Sequence, residues 1–328
     1  MKRILITGGA GMIGSNLVKR IVKTGGSRVS IADNLWRGKK EYLLDNDGVS
    51  YIDFEKDFFN IDLTVPGAID SLLTRVDYII HLADIVAGIK YVFLNQGSVF
   101  RQNILINSNV INAARQIDLK GFIYVGTACS FPAHLQMSVN AEPLREIDQY
   151  PANPESAYGW SKLMGEYETF LMGEETNIPV SVITLHNVYG SPCDFDDQRG
   201  QVIPSLIRKA VRFPKEEFIV WGSGSQGRAF VHVEDVVDAL VAAINKGFGN
   251  GLIQVGPDVC TTIREVAEII VKVSGKDIEV EYDTSKPEGD RGRCADFSKA
   301  KKILGWEPRI SLTEGLTQLY SWIEERIK

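Results

Sequence analysis

Short apolar runs alternate with longer amphipathic stretches along the first half of the chain. Arg3-Ile4-Leu5-Ile6-Thr7 reads as a buried strand, glycines follow it, and residues 12–24 carry apolar positions at helical spacing. The runs 28–32, 76–82, 121–125 and 180–185 read as further strands, with helical patterns at 103–117 and 155–174 ahead of the last two. Strand–helix–strand repetition implies parallel strands joined by crossover helices, so the expected fold is α/β with a doubly wound parallel sheet. After about Gly190 the rhythm changes, and Pro192, Pro204, Pro214, Pro257, Pro287 and Pro308 punctuate longer loops. Helices are expected at 233–246, 263–273 and 312–327, and strands at 252–255 and 278–282. This predicts two parts: residues 1–188, with roughly 229–252 returning to them, and a smaller α/β region in 189–328. No linker rich in Ser, Gly or Pro divides them, so they are expected to share a broad interface.

Composition narrows the class. Hydrophobic residues are 44% and charged residues 24% of 328, as in ordinary soluble domains. The net charge of −6 lacks the basic footprint of a nucleic-acid binder, and no polybasic stripe suits a membrane surface. No apolar run approaches the ~18 residues that span a bilayer. The four cysteines form no CxxC and the four histidines are scattered, so no metal site is expected. A strand starting at Arg3 leaves no room for a signal peptide, and the cytoplasm is the expected compartment.

Gly8-Gly9-Ala10-Gly11-Met12-Ile13-Gly14 contains GxGxxG directly after a strand and at the opening of a helix. Glycines there permit a tight turn and close approach of backbone N–H groups to a pyrophosphate, and the helix N-terminus adds positive partial charge. Alone the motif is weak. Asp33, at the end of the second strand, adds a carboxylate for both ribose hydroxyls that repels a 2′-phosphate, so NAD is the expected cofactor on a Rossmann-type sheet. Arg37, Lys39 and Lys40 soften that preference. Asp62-Leu63 either reaches the adenine edge or is surface chain before a loop.

Tyr158 and Lys162 lie one turn apart near the start of a helix, with Asn153 as the expected cap and Pro154 suited to the first turn. A free tyrosine has a pKa of ~10, so serving as a base near neutrality needs about 4 kcal/mol of anion stabilisation. An adjacent ammonium and a cationic nicotinamide ring supply it. Thr127 follows a buried strand, at the carboxyl edge where ligands bind in this architecture. His81 also ends a strand and reads as a structural core histidine.

Taken together, the glycine motif, Asp33, His81-Leu82-Ala83, Thr127, Tyr158/Lys162 and Asn187-Val188-Tyr189-Gly190 resemble the extended short-chain dehydrogenase/reductases, and within them the nucleotide-sugar epimerases and dehydratases. Trp221-Gly222-Ser223-Gly224, Gln226-Gly227-Arg228, Val233-Glu234-Asp235-Val236 and Leu304-Gly305-Trp306-Glu307-Pro308 extend the resemblance over nearly the whole chain. It implies a nucleotide-diphosphate sugar as substrate, with Tyr158 as the base at the sugar 4-hydroxyl while hydride passes from C4 to NAD, and Thr127 assisting. It implies coenzyme contacts at Gly8, Gly11, Met12, Ile13, Gly14, Asp33, Asn34, Asp62, Leu63, Leu82, Ala83, Asn103, Tyr158 and Lys162. Asn187 would contact the sugar nucleotide, and Arg228 and Arg291 would either clamp its diphosphate or be exposed charges.

A 4-keto sugar has acidified hydrogens at C3 and C5, so the residues after Thr127 decide the reaction. The family's 4,6-dehydratases carry Asp-Glu there; Ala128-Cys129 disfavours dehydration. Cys129-Ser130-Phe131-Pro132 is instead similar to the run in GDP-mannose 3,5-epimerases and GDP-fucose synthases, in which the cysteine moves protons at C3 and C5. Otherwise Cys129 is a small buried residue in a turn. Those relatives pair the cysteine with Lys or His just ahead of a proline; Gln201 and Val202 stand there before Pro204, and Lys209 and His186 lie elsewhere in the sequence. The expected function is an NAD-dependent nucleotide-sugar epimerase acting through a transient 4-keto intermediate, with C3 and/or C5 of a GDP-sugar as candidate positions of inversion. Inversion at C4, net dehydrogenation or dehydration, and a dinucleotide-sensing regulator are the alternatives. The resemblance also implies a homodimer through the helices at 103–117 and 155–174.

Overall fold

The computed structural model describes residues 1–327 except 87, 197–199, 287, 288 and 290. Pro287, Glu288 and Asp290 of the arginine-bearing run therefore lie outside the described residues. In chain order the first elements are β1 (Lys2–Thr7), α1 (Met12–Thr24), β2 (Ser27–Asp33), β3 (Phe58–Asn60), β4 (Tyr78–His81), α2 (Ile89–Leu94), α3 (Gln96–Ala114), β5 (Gly121–Thr127), α4 (Ala157–Thr176), β6 (Val180–Leu185) and β7 (Asn187–Tyr189). There follow α5 (Val202–Arg212), β8 (Ile219–Trp221), β9 (Gly227–Arg228), β10 (Phe230–His232), α6 (Val233–Lys246), β11 (Leu252–Val255), β12 (Thr261–Thr262), α7 (Ile263–Ser274), β13 (Glu281–Asp283), β14 (Gly292–Arg293), α8 (Ser298–Leu304) and α9 (Leu312–Ile327).

Seven parallel strands form the main sheet in the order β11-β6-β5-β4-β1-β2-β3. This is the expected Rossmann-type doubly wound arrangement, with the order reversing between β1 and β4. Both faces are covered, so the strands read as continuous apolar runs. Alternation sorts their side chains: Ile4, Ile6 and Ile80 pack with Leu17 and Val18 of α1, whereas Leu5 and Ile79 pack with Val110 and Ile111 of α3. A third core joins α5, α7 and α9 through Leu206, Ile207, Val266, Ile270, Leu316 and Leu319. Short sheets β10-β7, β12-β9-β14 and β13-β8 sit around it.

Several boundaries move for identifiable reasons. β4 is shorter than 76–82 because the Asp77 carboxylate turns to bind Arg3, accepting from its backbone N at 2.8 Å. α3 starts at Gln96, before 103, through a polar first turn that hides the apolar period. α4 is capped by Ser156, whose Oγ accepts from Gly159 N at 3.2 Å, not by Asn153. The Asn153 carbonyl instead accepts from Ala133 N, so Asn153 and Pro154 belong to the preceding loop. The strand expected at 278–282 is β13, displaced to Glu281–Asp283 by its pairing with β8.

One buried carboxylate seats the C-terminal helix. Trp306 Nε1 donates to the Asp235 carbonyl at 2.7 Å, and the amides of Arg309 and Ile310 both donate to Asp235 Oδ2 at 3.1 Å. Asp235→Ala leaves two amides without that acceptor. We expect a loss of about 2–4 kcal/mol, read as a lower denaturant midpoint with an unchanged slope.

Candidate active site

The strand ends at the β1/β4 reversal open into a cavity of about 780 Å³, within the range of small-molecule sites. Gly8 has φ +70°, and a Cβ there would lie 2.8 Å from Ala83 N; one on Gly14 would lie 2.3 Å from Gly8 O. Only glycines permit this packing of backbone on backbone. α1 then begins at Met12, and Gly11 before it supplies no side-chain cap, so its first-turn amides are offered to a ligand. Gly8, Gly11, Met12, Ile13 and Gly14 all line the cavity, with Leu63, Leu82 and Ala83. Asp33 and Asn34 line it too. The Asp33 carboxylate accepts from Ala10 N (2.9 Å) and Leu35 N (2.8 Å), which fixes its direction; burial raises its pKa against the pull of both amides. A glycine cradle, an uncapped helix start and an oriented carboxylate fit a dinucleotide. Arg37 also lines the cavity and donates to the Val86 carbonyl, while the Lys40 ammonium lies over the Phe58 ring.

α4 carries Tyr158 into the cavity and buries Lys162 behind it. The phenol donates to Asp84 Oδ2 at 3.1 Å, and Lys162 Nζ is 3.4 Å from the same oxygen. Asp84 thus stands as a third partner on the expected tyrosine–lysine pair. Burial, and then the Asp84 carboxylate, raise the Tyr158 pKa well above its ordinary value. Burial lowers that of Lys162 while Asp84 opposes the fall. Sequence reasoning missed Asp84, although its position directly after His81-Leu82-Ala83 at a strand end was a usable signal.

Thr127 Oγ1 accepts from Cys129 N at 3.3 Å, starting a short 3-10 turn (Ala128–Ser130) that brings both residues to the cavity. This turn rests directly on α4, because a Cβ on Gly159 would lie 2.2 Å from the Cys129 carbonyl. His81 is buried below, bonded to Thr7 Oγ1 (2.7 Å) and Asn107 Oδ1 (3.1 Å), and burial lowers its pKa to about 3, as suits a structural residue.

Four expected contacts do not line the cavity. Lys162 is covered by Tyr124 and Asp84. Asp62 turns to its own loop, accepting from Thr64 N at 2.9 Å. Asn103 is fully buried, accepting from Ile85 N (2.6 Å) and donating to Ser161 Oγ (3.3 Å). Arg291 is exposed; its backbone bridges Gln136 O and Gly227 N. The arginine that joins Arg228 at the cavity is Arg293, because β14 pairs with β9 in parallel with Arg293 beside Arg228. Arg293 Nη1 donates to Gln136 Oε1 at 3.2 Å, which ties it to the loop following Cys129. Asn187, Gln201 and Val202 line the same cavity. So do two residues that the sequence could not place, Lys209 and His186. Lys209 Nζ donates to Ile219 O at 2.5 Å; His186 bonds Gln254 Oε1 at 3.1 Å, and burial lowers its pKa to about 3.

The profile of the NAD dependent epimerase/dehydratase family matches residues 4–256. The chain belongs to that family. It is 30% identical over 326 residues to GDP-mannose 3,5-epimerase 1 of Oryza sativa subsp. indica, covering 99% of this chain and 82% of that relative. It is 32% identical over 321 residues to UDP-glucuronic acid decarboxylase 3 of Arabidopsis thaliana, covering 96% and 86%. Among solved structures, UDP-glucose 4-epimerase of Thermotoga maritima with UDP-glucose superposes with a TM-score of 0.87 at 27% identity, covering 99% of this chain and 100% of that one. UDP-glucuronic acid 4-epimerase of Bacillus cereus, in complex with UDP-glucuronic acid and NAD, gives 0.85 at 25% identity with 99% of each chain covered. The chain is thus an NAD-dependent enzyme. Asp33→Asn removes the charge and one of the acceptor atoms; NAD affinity measured by calorimetry should fall about tenfold or more, with weaker discrimination against NADP.

Proposed function

We propose that the protein is an NAD-dependent nucleotide-sugar epimerase that works through a transient 4-keto sugar. The carrying observation is that one cavity gathers the glycine turn, Asp33, Thr127, Cys129, Tyr158, Arg228 and Arg293. Bound NAD supplies reversible uptake of the hydrogen on C4. The chain's own residues do the rest. Tyr158 Oη takes the 4-hydroxyl proton and returns it, Thr127 holds that hydroxyl, and Lys162 sets the charge behind the phenol. Arg228 and Arg293 grip the diphosphate with planar guanidinium forks, and Asn187 orients the sugar nucleotide. Residues 1–188 with 229–252 form the coenzyme-binding part, and the remainder of 189–328 the sugar-binding part.

Cys129 in the same cavity as Tyr158 supports proton exchange at C3 or C5, and its resemblance to GDP-sugar enzymes supports a GDP-sugar. Inversion at C4 is the second reading, favoured because Gln201 and Val202, which carry no proton, line the cavity before Pro204. A homodimer is proposed through the outer faces of α3 and α4, where Phe100, Met164, Tyr167 and Leu171 are exposed. The last three repeat at helical spacing on one face. The cytoplasm is the proposed compartment, in keeping with four free cysteines. Among the described residues no helix is long and apolar enough to cross a membrane.

Tyr158→Phe should lower kcat at least hundredfold while NAD binding persists, since acid–base groups contribute about 10²–10⁴. Turnover of GDP-, UDP- and dTDP-sugars in deuterated water separates the two readings. Label at C3 or C5 that disappears in Cys129→Ala supports the cysteine route, and inversion at C4 without label replaces it. Tyr167→Glu should halve the mass measured by light scattering; a wild-type monomer would refute the dimer.

A further inference from the structure

Asp84 is a third ionisable group on the Tyr158–Lys162 pair, and the chemistry above does not use it. It lines the cavity, and one of its oxygens contacts both the phenol and the ammonium. Its backbone is fixed on both sides. Ala83 N donates to Thr7 Oγ1 at 3.3 Å and Ile85 N donates to Asn103 Oδ1 at 2.6 Å, so the carboxylate is held at this point rather than swinging on a free loop. The side chains of Lys162 and Asp84 are only 3% and 11% exposed, so water screens the contact little.

The groups facing the phenol come from every neighbouring element. Lys162 comes from α4, Asp84 from the loop after β4, Tyr124 from β5 and Cys129 from the turn after β5; Glu166 lies one further turn along α4. Lys162 is the cation of this set. A carboxylate and a phenolate in contact with one ammonium repel each other, so the ammonium supports one anion well and two poorly.

We propose that Asp84 is a positioning residue for proton transfer: with its carboxylate on the Lys162 ammonium, Tyr158 is kept a phenol, and Tyr158 becomes a base when that carboxylate is drawn off. The proposal rests on Tyr158 being the proton-transferring group of the reading above. The upward shift of the Tyr158 pKa, with Asp84 next after burial among its causes, agrees in direction. Coupling follows from the same geometry. A ligand hydroxyl that hydrogen-bonds Asp84, which lines the cavity, competes with Lys162 and the phenol for its carboxylate, so occupancy of the site by coenzyme or sugar is what frees the phenol to ionise. An empty site then carries no phenolate.

Asp84→Asn keeps an acceptor for the phenol and removes the charge. Ionisation of Tyr158 is read in the coenzyme-free protein as tyrosinate absorbance, taken as the difference between each background and the same background carrying Tyr158→Phe. The expected midpoint falls by at least one pH unit, a tenfold gain in phenolate at a given pH, and Asp84→Glu returns it toward wild type. The acid limb of the kcat/KM profile moves the same way. Asp84→Ser, measured identically, serves if Asp84→Asn does not fold. A midpoint that stays or rises overturns the proposal, as does loss of turnover at every pH with an unmoved midpoint. Absence of turnover by wild type on every nucleotide sugar would instead end the epimerase reading, and the titration would still judge Asp84.

Discussion

The close approach of two backbones at the β1/β4 reversal governs the rest of the site. The turn at Gly8 lies against Ala83 so tightly that a methyl group on Gly8 would fall 2.8 Å from the Ala83 nitrogen. On one side of this contact the chain enters α1 and offers its first-turn amides. On the other it leaves β4 and delivers Leu82, Ala83 and Asp84. The dinucleotide cradle and the group that contacts the Tyr–Lys pair are therefore two halves of one junction. Any side chain at Gly8 or Gly14 would separate them.

A buried polar network carries that geometry to the helix that bears Tyr158. Thr7, His81, Asn103, Asn107 and Ser161 connect β1, β4, α3 and α4 through hydrogen bonds of 2.7–3.3 Å. Tyr124 adds a bond from its hydroxyl to the Lys162 carbonyl at 3.0 Å. Fully satisfied networks in a low-dielectric interior are rigid, because each unmade bond would leave a costly buried group. Here the effect is to fix the register of α4 against the sheet. That register brings Tyr158 and Lys162 onto Asp84. Asn103 acts in this frame, holding the Asp84 loop and α4 together.

The cation supply at the site is similarly set by packing. Arg228 and Arg293 come together because β14 runs parallel to β9, and Gln136 anchors Arg293 to the loop that follows Cys129. The two arginines and the thiol-bearing turn are in this way parts of one connected surface. Lys209 and His186 reach the cavity from α5 and from the residue after β6. His186 is held neutral there, because burial lowers its pKa to about 3.

The sequence alone determined the sheet class, the glycine turn, the placing of Asp33, Thr127 and Tyr158 where one cavity gathers them, and several element bounds, including α6, β11 and α9. These are local properties: periodicity, strand-end position and one-turn spacing are written in consecutive residues. Family membership likewise followed from motifs in order. Tertiary structure alone decided which charges meet. Asp84 lies 74 residues from Tyr158 and meets it through the β4 end; Arg293 replaces Arg291 at the cavity through strand pairing; and Asn103, Asp62 and Lys162 turn away from it toward nearer partners. Such contacts depend on distances between segments remote in sequence, and only the packed chain fixes those distances.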